Sequence, residues 1–72
     1  METKIIKQDS ELGRLGLSAL VEKGFAGPNY SLADLDVQLT KVGESVEVSF
    51  YDMSCFIHPQ DKNYNEFKKY FD

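Results

Sequence analysis

Asp52, Cys55, His58 and Asp61 recur every three residues, and carboxylate, thiolate and imidazole all suit a tetrahedral zinc ion. Two features weigh against a metal. A structural zinc normally draws on two paired clusters with at least two cysteines, and this chain has one cysteine and one histidine. In an extended segment, three-residue spacing also sends neighbouring side chains to opposite faces. Cys55 with His58 has the residue types of a nucleophile and its base. Such a dyad needs an electropositive setting, oxyanion donors and a group that orients the ring, and no spacing in the chain supplies them. The five glycines are scattered, and none opens the Gly-Lys-Ser or Gly-Lys-Thr run of a phosphate loop. The expectation is no catalytic residue, no metal and no cofactor, with Cys55 a small buried side chain and His58 at a strand end.

Length and charge narrow the classes further. Seventy-two residues make a single small domain, 1–72, which buries only about 60% of the surface its unfolded chain exposes. Five Phe and four Tyr help, since each ring buries a large area. One cysteine forms no internal disulfide and fits a reducing cytoplasm. No apolar run approaches the roughly 20 residues of a membrane span, and Met1 to Lys7 lacks the features of a signal peptide. A net charge of −4 argues against unaided binding to nucleic acid or anionic lipid. The twelve acids are dispersed among eight basic residues, too mixed an array to imitate nucleic acid.

The elements that would position any site read most firmly between Asp36 and Tyr51. Val37, Leu39, Val46, Val48 and Phe50 alternate with polar residues, as a half-buried hairpin requires. A two-residue loop at Gly43-Glu44, glycine first, sets Leu39 opposite Val48 and Val37 opposite Phe50. Thr40 then faces Glu47 and Gln38 faces Ser49 on the wet side. A slip of one residue would turn the apolar set to solvent.

Ile5-Ile6, between Lys4 and Lys7, reads as an edge strand or an unstructured lead-in. Asp9 or Ser10 caps a helix over about 10–23, with Gly24 just past its end. Its polar stripe is Glu11, Arg14, Ser18 and Glu22, and Leu12, Leu15, Leu17, Ala19, Leu20 and Val21 fill most of the rest. A helix that apolar is covered on more than one side. Gly13 and Gly16 each cost about 1 kcal/mol in a helix interior, which a close packing partner would explain. That partner is the chain's own sheet or a second copy, with Leu12, Gly13, Gly16, Leu17 and Leu20 as the self-association seam.

Phe25 to Tyr30 reads as a loop around Gly27-Pro28-Asn29, and Ser31 to Asp34 as one short capped turn. Apolar parity shifts after Phe50, which predicts a bulge or bend at Tyr51-Asp52 and a third strand or a continuation over Ser54 to Ile57. Pro59 ends that segment. Asp61 then caps a C-terminal helix over about 61–70. Tyr64, Phe67, Tyr70 and Phe71 share one face of it, as a lid on the core or as a partner-binding face, and Lys68 and Lys69 suit its C-terminal end.

The fold expected is α+β: a small antiparallel sheet of two to four strands packed by an N-terminal and a C-terminal helix. The leading functional expectation is a non-catalytic cytoplasmic protein–protein interaction module: an adaptor, inhibitor or immunity-type binder. Its candidate binding surface is the wet hairpin face, Gln38, Thr40, Glu47, Ser49 and Tyr51, which is poor in charge and carries a tyrosine, as interface centres do. The alternative is a small nucleic-acid-associated regulator, possible as a homodimer, that uses the lysines of the last helix.

Overall fold

A computed structural model describes residues 2–24 and 36–71. The loop and capped turn expected over 25–35 lie outside the described residues. The elements run β1 (Thr3–Ile6), α1 (Glu11–Glu22), β2 (Val37–Val42), β3 (Ser45–Phe50), β4 (Met53–Ile57) and α2 (Tyr64–Lys68). The strands form one antiparallel sheet in the order β1-β2-β3-β4. This is the expected α+β architecture with the sheet at its four-strand limit.

The central hairpin has the register that alternation predicts. Leu39 lies opposite Val48, Thr40 opposite Glu47 and Gln38 opposite Ser49. Gly43 takes φ +61° at the turn, a value glycine reaches without steric cost. The parity shift after Phe50 arises from a tight turn rather than a bulge. Phe50 pairs with Met53, so Tyr51-Asp52 is a two-residue loop and β4 is a strand of its own. Tyr51 holds φ +60° there, a region that bulky residues enter only at a cost.

One face of the sheet carries the core. Ile6, Val37, Leu39, Val46, Val48, Phe50, Cys55 and Ile57 are buried beneath Leu17 and Leu20 of α1 and Tyr64 and Phe67 of α2. Gly16 makes this possible. A methyl at its Cα would sit 3.2 Å from a Val48 methyl, 3.5 Å from one of Val37 and 3.8 Å from the Phe67 ring, so a bare backbone lets α1 settle onto both sheet and α2. Ser10 starts the helix: its Oγ accepts from the Gly13 N–H at 3.0 Å and donates to the Lys7 carbonyl at 2.6 Å. Gly24, at φ +102°, ends it as a left-handed residue past the cap.

The C-terminal helix is shorter than the 61–70 that its aromatic spacing suggests. Asp61 does not cap it. The Asp61 carboxylate accepts from the His58 backbone N–H at 2.7 Å, and the Asp61 N–H donates to the His58 carbonyl at 2.9 Å. The side chain therefore closes a turn at the end of β4. Asn63 occupies the cap position at φ +103° without a side-chain bond, so regular helix begins only at Tyr64. Past Lys68 the coil tightens, with Tyr70 and Phe71 bonding three residues back. Tyr64 and Phe67 are buried and Phe71 packs on the core, whereas Tyr70 stays 44% exposed. The Tyr64 hydroxyl donates to the Glu44 carbonyl, tying α2 to the central hairpin turn.

Candidate functional site

Both helices cover one face of the sheet, and the pleat turns every second residue to the other. Strand pairing assembles that open face in rows. Thr3, Thr40, Glu47 and Phe56 cross the four strands in one row, and Ile5, Gln38, Ser49 and Ser54 in the next. Gln38 is exposed, and Glu47 and Ser49 are half-buried. Thr40 is buried, its Oγ1 3.2 Å from that of Thr3, so its hydroxyl is engaged between β1 and β2. Tyr51 stands apart from the strand at the β3–β4 turn. It is 62% exposed, with its ring edge-on to Phe50 at 5.3 Å.

Four members of this face, Thr3, Ile5, Ser54 and Phe56, lie outside the candidate set, and two of them are apolar. Ile5 is 57% and Phe56 40% exposed, one on each edge strand. The Phe56 ring stacks on His58 at 6.0 Å, and His58 Nδ1 lies 2.8 Å from Ser45 Oγ. Glu47 is the one charged side chain in the two rows. A sheet face with apolar ends, a hydroxyl- and amide-rich middle and little charge can exclude water against another protein surface. It has no array of cations with which to hold phosphates.

The self-association seam read from the sequence is spent largely inside the chain. Gly13, Gly16, Leu17 and Leu20 are buried, Gly16 against the chain's own β2, β3 and α2. Leu12 is half-buried and keeps some surface. With Leu15 and Tyr70 it floors a shallow groove of about 230 Å³ rimmed by Glu11, Glu66 and Lys69.

The three-residue series does not converge. Cys55 faces the core and His58 the solvent, and among the described residues no three His, Cys, Asp or Glu side chains are grouped to hold a metal ion. Ser45, His58 and Asp61 bring hydrolase residue types together without hydrolase connectivity, because Asp61 binds the histidine's backbone rather than its ring. Burial pushes the Cys55 thiol above its ordinary 9.0, with Lys23 pulling it down and Asp61 pushing it up. A neutral thiol is a poor nucleophile, so alkylation of Cys55 should be slow in the folded chain and fast in urea. The raised value also links stability to pH. The folded state holds this proton more tightly than the unfolded chain, so its contribution is complete below about pH 9 and is lost as pH rises further. The urea midpoint of the wild type should fall faster than that of Cys55→Ala above that pH. Parallel curves would contradict the assignment.

Three lysines on or beside α2 face acids. Lys69 lies 3.3 Å from Glu66, Lys62 3.9 Å from Glu22 and Lys23 3.9 Å from Asp61. Exposed pairs of this kind contribute little stability, and each sets an acid beside a lysine that a nucleic-acid site would use. Among the described residues no helix is long and apolar enough to cross a membrane. No family model, no curated protein and no solved structure matches the chain.

Proposed function

We propose that this chain is a non-catalytic protein–protein interaction module of the reducing cytoplasm, an adaptor, inhibitor or immunity-type binder, which docks through the open face of its sheet. The observation that carries the reading is the two-sidedness of the sheet. Among the described residues both helices lie on one face, and the two rows of the other present Ile5, Gln38, Ser49 and Phe56 with Glu47 as their one charge, while Tyr51 stands exposed at the adjoining turn. Tyr51 adds a second strand of support. Its positive-φ backbone and large exposed ring stand at a turn where glycine or asparagine would cost less, and such outliers gather at functional positions. An inhibitor or adaptor needs only a rigid complementary surface, and a hydrogen-bonded sheet supplies one with little ordering cost on binding.

Charge placed on the open face tests this. Gln38→Lys with Ser49→Lys should melt within several degrees of the wild type, because Gln38 is exposed and Ser49 only half-buried, although like charges directly opposite across β2 and β3 cost some stability. The double variant should lose capture of the partner that wild-type bait recovers from host lysate after nuclease treatment. Ser18→Lys, on the polar stripe of α1, should retain it. Equal capture by all three baits would remove the open face as the docking surface. Recovery that vanishes with nuclease would favour the nucleic-acid-associated regulator.

A further inference from the structure

We infer that β4 pairs edge to edge with β4 of a second copy of the chain, in an antiparallel register centred on Cys55. This goes beyond the open-face reading, since it uses the strand edge rather than the sheet face. Among the described residues the sheet has two edges, β1 and β4, and they are built differently. β1 is guarded: Lys4 points toward the core side, half-buried and 3.3 Å from Glu2, and Lys7 follows the strand. Inward-pointing and flanking charges are how sheet proteins discourage further pairing. β4, Met-Ser-Cys-Phe-Ile, has no charge, no proline and no glycine.

The backbone bonds of β4 select the register. A two-residue loop is flanked by a pair that exchanges both ladder bonds, and such pairs then alternate along the hairpin. Phe50 and Met53 flank the loop, so Met53, Cys55 and Ile57 turn their N–H and C=O groups to β3. Ser54 and Phe56 turn theirs outward. His58 would be next, but its N–H and C=O are both engaged by Asp61, so the available edge stops at Phe56.

An antiparallel partner that keeps the core side of both sheets on one side must align odd residues with odd. Centring on Cys55 sets Ser54 of one copy against Phe56 of the other, so every outward group of both residues finds a partner. Centring one residue to either side breaks this match, and on one side it runs into the engaged His58. The same register places Asp52 of one copy across from His58 of the other, an acid facing a base rather than like charges. The two Phe56 rings become diagonal neighbours, within reach of each other across the seam. The strand is thus complementary to itself, and the two four-stranded sheets become one continuous sheet with a single broad open face.

Light scattering and amide exchange on the full chain test the pairing. The wild type should pass from the mass of one chain (8.2 kDa) to twice that as concentration rises. The Ser54 and Phe56 amides should slow at least about tenfold in step, while β1 amides stay unchanged. Ser54→Pro removes an outward donor at an edge position where proline is tolerated, and Phe56→Lys charges the seam. Both should remain single chains at concentrations where the wild type has doubled. A wild type that stays a single chain at millimolar concentration would overturn the inference. So would a doubled mass that survives both substitutions, or a dimer whose Ser54 and Phe56 amides exchange as fast as in the single chain. Should either variant fail to fold, the amide exchange of the wild type decides alone. Gln38→Lys with Ser49→Lys leaves this edge intact, so loss of the captured partner and loss of self-pairing are separate results.

Discussion

Val48→Asp is expected to abolish the cooperative thermal transition at neutral pH. Val48 has no exposed surface. It sits between Leu39 and Cys55 in the sheet, and one of its methyls lies 3.2 Å from where a side chain on Gly16 would begin. Removing the valine forfeits about 1.5–3 kcal/mol of burial. A protonated acid left without a partner costs about 1–3 kcal/mol more, and ionising it there costs more again. A domain of this length is stable by roughly 4–11 kcal/mol in total, so the sum approaches the whole. The acid would hold its proton more tightly in the folded state than its ordinary 3.9, so its penalty should shrink as pH falls toward that value. Val48→Asn has no such relief. A melt of Val48→Asp close to that of the wild type at pH 7 would contradict the packing of α1 on β3.

Gly13→Ala should be more damaging than Gly16→Ala, although alanine is the better helix former. A Cβ at residue 13 would lie 2.1 Å from the Lys7 carbonyl oxygen and 3.0 Å from the Gln8 Cα. These are backbone atoms, and the Lys7 carbonyl already accepts from the Ser10 N–H at 3.1 Å and from Ser10 Oγ. Relieving the clash means moving the turn that caps α1. Overpacking costs about 1–3 kcal/mol and a lost cap about 1, against a propensity gain of about 1. The net expectation is a loss of about 1–3 kcal/mol. Gly16→Ala is the control. Its new methyl meets the Val48 side chain at 3.2 Å, which asks for a shift of a few tenths of an ångström and is offset by the same gain in propensity. It should fall within about 1 kcal/mol of the wild type. Chemical denaturation of both variants checks the pair, and equal effects would contradict the distinction.

These two glycines show what a sequence can and cannot reveal. Their cost in a helix signals a close approach, but not to what: a second copy, the sheet below, or, for Gly13, the carbonyl of a residue six positions earlier. The β2–β3 register was legible because Leu39, Val48 and the loop glycine are local and agree with one another. Helix α1 was legible from Ser10 and Gly24 for the same reason. The start of α2 was not, because Asp61 can bond forward as a cap or backward to His58, and the choice depends on where β4 ends. The break at Tyr51-Asp52 was legible from the parity shift, but its form, a two-residue turn rather than a bulge, was not, because tyrosine rarely takes positive φ. Within the candidate site, period two was enough to group Gln38, Glu47 and Ser49. Ile5 and Phe56 join them only once strand order is known, since they come from opposite edges of the sheet and lie 51 positions apart in the chain.

The central claim, that the open sheet face receives another protein, is tested most directly by site-specific photo-crosslinking in the host cell. A photoreactive phenylalanine analogue at Ser49 stands in the middle of that face, and one at Ser18 stands on the polar stripe of α1. The account predicts a discrete protein adduct from position 49 that survives nuclease and is absent from position 18. Adducts from position 18 alone, or nucleic acid as the sole adduct from position 49, would contradict it.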